Sequence, residues 1–268
     1  SPGPLSDHDP SVHPPVSHDP SVPASIDPFK YHKALALIGI TGTNGKTTVS
    51  YLAKHFLSLD EVKTGCLGTI GYDLVERVLP SFRTTPEAHD LCELLAQMKG
   101  FGCERAVMEV SSHGIDQMRV ADLRFDVGVF LNLTRDHLDY HGDMDSYFEV
   151  KRRFIVGDLG RRPKKLAINV DDVYGRRLAQ ELDDDSLISF GTGSDAEMQA
   201  IDVDMAPDGT TFTLRYEGKN RMVRSPLIGH YNVSNVLAAM AISAAVGADL
   251  DSCIGSLGRF DGIPGRME

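Results

Sequence analysis

The chain has 268 residues, of which 41% are hydrophobic and 24% are charged, and its formal net charge is −11. This length allows one large domain or two small ones with a sizeable core. The negative charge argues against a nucleic-acid partner, and no apolar run approaches the roughly 18–20 residues of a membrane span.

The first 30 residues lack the pattern of a folded segment. They hold eight of the fourteen prolines, and the sequence His-Asp-Pro-Ser-Val occurs in them twice. This composition is typical of a disordered, proline-rich linker or an artificial extension. The apolar core of a secretory signal is missing from it. We therefore predict that the folded domain occupies residues 31–268.

The most informative motif is residues 41–48, Thr-Gly-Thr-Asn-Gly-Lys-Thr-Thr. Apolar residues 34–40 predict a buried strand before it, and the helical spacing after it predicts a helix to about Leu59. A glycine-rich turn that opens a helix presents N–H groups and the helix dipole to phosphate oxygens. The strict motif has glycine in place of Ile40, so the loop is a variant, and an ordinary glycine turn is the alternative. We predict a phosphate-binding loop in which Lys46 reaches the terminal phosphates and the Thr47 hydroxyl binds Mg²⁺.

Strands and helices alternate after this loop. The predicted elements are a strand with its turn over 66–73, a loop over 80–86, a helix over 88–98, strands over 105–110 and 127–133, a helix over 145–155 and a strand over 166–170. The helix over 88–98 has one apolar face, formed by Ala88, Leu91, Leu94, Leu95 and Met98. This alternation predicts an α/β fold, with a mostly parallel sheet and helices on both of its faces.

The last third of the chain has a different pattern. Residues 211–216 alternate between polar and apolar side chains, and Gly209 and Gly218 flank them. This period of two predicts a small antiparallel hairpin at one edge of the sheet. A helix is predicted to start near Asn232, and one more short helix follows Ala248.

Candidate metal ligands follow two of the predicted strands. Glu109 ends the strand over 105–110, and ligands of open parallel sheets bind at the carboxyl ends of strands. Its carboxylate is therefore expected to hold Mg²⁺ opposite the phosphate loop. His137 and His141, in the polar segment after the next strand, are further candidates. A zinc site is the less favoured interpretation, because the chain has no His-Glu-x-x-His motif.

Two other polar residues lie on predicted helices. Lys151 is by itself typical of a solvated surface charge. Asn232 stands at the start of an apolar helix, where it either caps the helix or contacts a nucleotide base.

Together these motifs resemble those of the Mur ligases, the ATP-dependent amide-forming enzymes of peptidoglycan synthesis. The resemblance is strongest to the UDP-N-acetylmuramoyl-tripeptide synthetases, which add the third peptide residue, and it extends over about residues 35–268. It rests on residues 42–48, Thr-Thr-Pro-Glu at 84–87, Glu-Val-Ser-Ser-His-Gly at 109–114, residues 132–142, and Gly-Arg-Met-Glu at 265–268.

The resemblance implies roles for individual residues. Those that would bind ATP are Gly42, Thr43, Asn44, Gly45, Lys46, Thr47, Thr48, Asn232 (at the adenine) and Arg266 (at the phosphates). Those that would hold Mg²⁺ are Thr47, Glu109, His137 and Lys151, the last after carbamylation of its amine. Those that would bind the UDP-muramoyl dipeptide are Thr84, Thr85, Ser111, Gln117 and Arg119. Lys46, Lys151 and His137 would serve catalysis.

The implied reaction is a ligation that uses ATP and Mg²⁺. The carboxylate of UDP-N-acetylmuramoyl-L-alanyl-D-glutamate becomes an acyl phosphate, and the amine of diaminopimelate or lysine then attacks it. The four cysteines have no paired spacing and are expected to be free thiols, which suits a reducing cytoplasm. They are Cys66, Cys92, Cys103 and Cys253.

Mur ligases usually have three domains, and the resemblance covers the central, ATP-binding one over residues 31–268. The UDP-binding and amino-acid-binding domains are expected to be absent. We therefore expect weak Mg·ATP binding, and no tripeptide unless the missing domains act in trans. Two alternatives stay open: a ligase like the folylpolyglutamate synthetases, and a non-catalytic nucleotide-binding half of a split enzyme.

Overall fold

The computed structural model describes residues 35–182 and 185–264. The strands are β1 (Ala36–Thr41), β2 (Thr64–Leu67), β3 (Gly71–Asp73), β4 (Val78–Pro80), β5 (Arg105–Glu109), β6 (Val127–Phe130), β7 (Lys165–Asn169), β8 (Leu187–Gly191), β9 (Met198–Ala206), β10 (Gly209–Tyr216) and β11 (Lys219–Ser225). The helices are α1 (Lys46–Leu57), α2 (Ala88–Gly100), α3 (Ser112–Asp116), α4 (Leu138–His141), α5 (Met144–Val156), α6 (Val173–Leu182), α7 (His230–Ala245) and α8 (Leu250–Ser256).

All the strands belong to one sheet, in the order β11-β10-β9-β8-β7-β6-β1-β5-β2-β3-β4. The strands from β9 to β2 are parallel to one another. Antiparallel pairs extend the sheet at both ends, through β10 and β11 on one side and β3 and β4 on the other. The predicted mostly parallel α/β fold is thereby confirmed, and β1 lies inside the parallel part.

Alternate residues of the central strands feed two separate cores. Ile38 and Ile40 of β1 belong to the core that includes apolar residues of α1 and α7. Leu35 and Leu37 belong to the opposite core, which includes residues of α2 and α5. Since side chains of a strand alternate between the faces of a sheet, this division explains why buried β1 is apolar at nearly every position.

Several local predictions were wrong. Residues 66–73 form two strands, because Gly68 donates to the carbonyl of Gly71 across a tight turn that reverses the chain. Strand β4 was not predicted, and it makes the second antiparallel edge where only one was expected. Ala88 is exposed, since it begins α2 beyond the part that packs on the sheet.

Some predictions concern residues that the structure does not describe. The linker expected over residues 1–30, and Arg266 with its Gly-Arg-Met-Glu motif, lie outside the described ranges. Within those ranges, no helix is long and apolar enough to cross a membrane. The four cysteines are free, as predicted.

Candidate nucleotide and ligase site

Three adjacent parallel strands bring the predicted site residues to one edge of the sheet. Ile40 of β1 pairs with Glu109 at the end of β5, and Thr41 pairs with Phe130 at the end of β6. The glycine loop, the segment after Glu109 and the segment after Phe130 therefore leave the sheet side by side. Their sequence separation conceals this, and only the parallel register places them together.

The glycine loop leads directly into α1. Gly45 precedes the helix with φ of 87°, and a Cβ there would lie 2.5 Å from Oδ1 of Asn235. No side chain in the described ranges caps α1. The first N–H groups of the helix thus keep their capacity to bind an anion, and the helix dipole favours one.

The loop is fastened to the segment after β6. Thr43 N–H donates to the carbonyl of Asn132 at 3.0 Å, and Asn44 N–H donates to Asn132 Oδ1 at 2.9 Å. The Asn132 amide returns a bond to the carbonyl of Asn44 at 3.0 Å, and the Asn44 amide reaches Thr134 Oγ1 at 3.1 Å. The sequence marks this segment as a motif, but gives no sign that Asn132 and Thr134 hold the loop.

Two lysines meet at the loop from different helices. Lys46 Nζ, on α1, lies 2.8 Å from the carbonyl oxygens of Gly42 and Thr43. Lys151 Nζ, on α5, lies 3.1 Å from the same Gly42 oxygen and 3.4 Å from Thr41 Oγ1. Positive charge is thus concentrated where the predicted phosphates would bind.

Lys151 is not the solvated charge that a lone helical lysine usually is, because its side chain is 99% buried. Burial, and secondly the positive charge of Lys46, hold the pKa of the Lys151 amine well below its usual range. The aromatic ring of Tyr147 lies 4.8 Å from Nζ. A lysine in this setting has access to its neutral, nucleophilic form.

Glu109 is the buried carboxylate of this edge, with 1% exposure. Its two oxygens accept from the backbone N–H and the hydroxyl of Thr69, both at 3.0 Å. Thr47 is also buried, in the first turn of α1. Within the described residues, no three His, Cys, Asp or Glu side chains are grouped to hold a metal by themselves. This donor set suits Mg²⁺, which takes one or two carboxylates with phosphate oxygens and water.

His137 lies in a cluster of aromatic and imidazole rings. It has a left-handed backbone conformation (φ 52°), and its Nε2 is 3.5 Å from a carboxylate oxygen of Asp136. Its ring centroid is 5.2 Å from that of His113. Burial lowers the pKa of His113 and of His141, and so do neighbouring imidazoles. The cluster therefore presents mainly neutral rings beside the two lysines.

Among the predicted substrate residues, Thr85 is fully buried and holds the backbone. Its hydroxyl oxygen lies 2.9 Å from the carbonyl of Glu109 and accepts from Ser111 N–H at 2.9 Å. Ser111 Oγ in turn caps α3 by accepting from Gly114 N–H. Thr84 is more exposed, and its hydroxyl meets that of Thr69 at 3.1 Å. Thr85 thus fixes the chain on which the other groups stand.

Arg119 is held against the same segment. Its guanidinium donates to the carbonyl of Thr85 at 2.9 Å and forms an ion pair with Glu87 at 3.1 Å. It also donates to the side chain of Gln117. Arg119 is 7% exposed, and its Nε has no hydrogen-bond partner within the described residues. The predicted residues Thr85, Ser111, Gln117 and Arg119 therefore form one connected group.

A cavity of about 360 Å³ opens beside the glycine loop. It is lined by Asn44, Gly45, Leu131, Asn132, Asn169, Phe190, Tyr231, Ser234 and Asn235. Asn232 does not line it. The Asn232 side chain instead donates to the carbonyl of Ile228 at 2.9 Å and accepts from Asn235 at 3.0 Å.

Asn232 is also not the residue that precedes α7. That position belongs to Gly229, so the interpretation of Asn232 as the N-cap was wrong. Asn235, one turn further along, is the amide that reaches the cavity. The sequence motif contains both asparagines, and only the helix phase decides which one points inward.

A larger cavity of about 620 Å³ lies at the amino ends of β7 and β8. Its lining includes Glu197, Tyr216 and Glu217 and contains none of the predicted site residues. Since the glycine loop follows the carboxyl end of β1, this cavity is separate from the candidate site.

The family model of the Mur ligase middle domain matches residues 40–243. The chain belongs to the Mur ligase family. The match contains the glycine loop, both lysines and the segments after β5 and β6, so the resemblance stated from the motifs is confirmed.

Individual Mur ligases are similar over most of the described residues. The UDP-N-acetylmuramoyl-L-alanyl-D-glutamate–2,6-diaminopimelate ligase of Synechococcus elongatus is 41% identical over 241 residues, which are 88% of this chain and 47% of that protein. The enzyme of the same name from Geobacter sulfurreducens is 42% identical over 236 residues, with 87% and 46% covered. A solved structure of a ligase with this name has a TM-score of 0.77 and 32% identity, over 87% of this chain and 48% of that one. The chain thus spans about half the length of the relatives it matches.

Proposed function

We propose that this chain is the ATP-binding part of a Mur ligase that adds 2,6-diaminopimelate to UDP-N-acetylmuramoyl-L-alanyl-D-glutamate. The observation that carries the proposal is the meeting of Lys46 and Lys151 at the carbonyl of Gly42, in front of the uncapped start of α1. Two cations and a row of N–H groups form a binding site for a polyphosphate. The choice of diaminopimelate rests on the names of the similar ligases.

In this proposal the triphosphate of ATP lies along the glycine loop, from residue 42 to Thr48. Lys46 leaves its two carbonyl partners for the terminal phosphates, since phosphate oxygens are stronger acceptors for an ammonium group. The base enters the cavity of about 360 Å³ beside the loop. Asn235 and Tyr231 then stand at the base, and Asn232 acts through its bond to Asn235.

Magnesium fits the donors on the phosphate side of the site. Thr47 and Glu109 would hold it together with phosphate oxygens and water, with His137 and Lys151 at a second position. Magnesium bound there neutralises charge on the phosphoryl group that is transferred. Because Lys151 has a lowered pKa, its amine can take up CO₂ and become an anionic ligand.

The acceptor substrate is proposed to bind on the side of β5. Thr84, Ser111, Gln117 and Arg119 would hold the UDP-muramoyl dipeptide, and Thr85 would act by fixing Ser111. The substrate carboxylate lacks a leaving group, so it must first be phosphorylated by ATP before the amine of diaminopimelate attacks. The protein's contribution is to align the two substrates and to stabilise the charge of the transferring group with Lys46. ATP, the free thiols and these substrates make the cytoplasm the proposed location.

The test begins with nucleotide binding. Isothermal titration calorimetry with Mg·ATP should give a saturable signal for the chain, weakened at least tenfold in Lys46→Ala. The chain is then mixed with Mg·ATP, UDP-muramoyl dipeptide and diaminopimelate, lysine or a folate, and ADP and product are sought by mass spectrometry. Tripeptide formed with diaminopimelate, from this chain or after addition of the other ligase domains, is the expected result. Product with a folate, or an affinity unchanged by Lys46→Ala, contradicts the proposal.

A further inference from the structure

Tyr147 is a fully buried residue in the first part of α5, and its position relative to Lys151 is notable. It is 1% exposed and precedes Lys151 by four residues. Residues four apart on a helix lie on the same face, so the ring and the amine point to the same place. Phe148, the next residue, is equally buried but packs against Phe130 and Tyr174 on the opposite side.

The hydroxyl of Tyr147 contacts the glycine loop. Its oxygen lies 3.3 Å from Thr43 Oγ1. Thr43 Oγ1 also accepts from the N–H of Thr134 at 3.0 Å, so this hydroxyl joins the loop, α5 and the segment after β6. Burial raises the pKa of Tyr147, which keeps the hydroxyl neutral and able to donate.

The ring of Tyr147 contacts the remaining groups of the site. One face lies 4.8 Å from Lys151 Nζ, at the distance of a cation–π contact. His141 stacks on the ring with centroids 4.8 Å apart, and His137 approaches it edge-on at 6.2 Å. One side chain therefore touches the loop, the buried lysine and both imidazoles of the His137–His141 segment.

We propose that Tyr147 is a positioning residue that locks the phosphate loop against α5, through its hydroxyl on Thr43 and its ring on Lys151. Its consequence for ligation rests on the proposed function, whereas its effect on the loop does not. Tyr147 sets the separation between the loop, which holds the phosphates, and Lys151, which holds charge beside them.

The test measures hydrogen–deuterium exchange of peptides that contain residues 41–48, in the absence of nucleotide. Tyr147→Phe keeps the ring and removes one hydrogen bond, so loop exchange should rise about three- to tenfold. Thr43→Ala should raise it to a similar extent, and the double variant should exchange no faster than Thr43→Ala alone. Tyr147→Leu should give a larger increase, because it also removes the ring from Lys151.

Phe148→Leu is the matched control, because it removes an equally buried ring that points away from the loop. It should lower the melting temperature yet leave exchange at residues 41–48 unchanged, and peptides over residues 209–225 serve as an internal reference. The inference is overturned if loop exchange in Tyr147→Phe equals that of the parent chain, or if the effects of Tyr147→Phe and Thr43→Ala simply add. If Tyr147→Leu does not fold, the Tyr147→Phe and Thr43→Ala cycle decides alone.

Mg·ATP affinity, measured on the same variants, separates this inference from the proposed function. Tyr147→Phe should weaken binding about three- to tenfold and Phe148→Leu less than twofold. If the parent chain binds no Mg·ATP, the proposed function fails, and the exchange data still decide whether Tyr147 holds the loop.

Discussion

Lys46 and Lys151 donate hydrogen bonds to one and the same acceptor, the carbonyl oxygen of Gly42, at 2.8 and 3.1 Å. They reach it from α1 and α5, which pack on opposite faces of the sheet. Two ammonium groups on one carbonyl repel each other, and this repulsion contributes to the lowered pKa of Lys151. A bound polyanion would relieve the repulsion, so the arrangement stores affinity for phosphate.

The first prediction concerns Lys46. Lys46→Ala removes one of the two cations and should weaken Mg·ATP binding roughly 10- to 100-fold, since a hydrogen bond between charged groups contributes about 1.5–3 kcal/mol. Isothermal titration calorimetry measures the change. Lys219→Ala, an exposed lysine in the turn between β10 and β11, removes the same charge far from the loop and should alter affinity less than twofold. Equal losses in the two variants would show that only net charge matters.

The second prediction concerns the stability cost of burying Lys151. Its amine is fully buried next to Lys46, and the Gly42 oxygen keeps Lys46 as a donor when Lys151 is replaced. Lys151→Met should therefore raise the free energy of unfolding at pH 7 by roughly 1–4 kcal/mol, as replacement of buried charges by apolar groups often does. Urea unfolding followed by circular dichroism, in CO₂-free buffer, gives the difference.

This stability difference should depend on pH in a known direction. The pKa of Lys151 in the folded chain lies below its ordinary value of 10.5, so between these two values the unfolded chain binds more protons. The stability of the parent chain then rises with pH through this window, and the penalty is gone above about pH 10.5. The advantage of Lys151→Met should shrink from pH 7 to pH 10. An advantage that stays constant or grows over this range contradicts the assignment.

The sequence predicts the frame of this site better than its fastenings. The apolar strand, the glycine loop and the helix after it are local patterns, so β1 and α1 are found at their predicted places. Glu109 was expected at a strand end for the same reason. The bonds from Asn132 to the loop, and the burial of Lys151, depend on contacts between segments about 90 to 110 residues apart.

Short elements were harder to predict for a related reason. Strand β4 has three residues, and its pairing with β3 results from the turn that precedes it rather than from its own composition. The choice between Asn232 and Asn235 at the cavity depends on where α7 begins, and element ends are the least certain part of a sequence interpretation. Periodicity identifies elements, whereas tertiary contacts fix their ends.

The third prediction separates scaffold from substrate contact at Thr84 and Thr85. Thr85→Val keeps the shape and leaves Ser111 N–H without its acceptor, so it should lower the free energy of unfolding by about 1–3 kcal/mol. Thr84→Val loses only a hydroxyl contact to Thr69 near the surface and should cost less than about 0.5 kcal/mol. Urea unfolding of both variants measures this. Equal costs would mean that burial does not distinguish the two threonines.

The fourth prediction tests the backbone of the glycine loop. Gly45 has φ of 87°, and a Cβ there would meet Asn235 Oδ1 at 2.5 Å. Gly45→Ala must therefore strain the backbone, at a cost of about 1–2 kcal/mol, and displace an amide that is bonded to Asn232. Gly218, in the turn between β10 and β11, has φ of 69° with open space around its Cβ position. Gly218→Ala should show the backbone cost alone.

The difference between the two alanine variants isolates the contact with Asn235. Gly45→Ala should be less stable than Gly218→Ala by about 1 kcal/mol in urea unfolding, the value of one hydrogen bond. It should also weaken Mg·ATP binding more than tenfold, because the shifted Asn235 lines the cavity of about 360 Å³ beside the loop. Gly218→Ala should leave this affinity within twofold of the parent chain. If the two variants match in both stability and affinity, the close approach of Gly45 to Asn235 has no role in the nucleotide site.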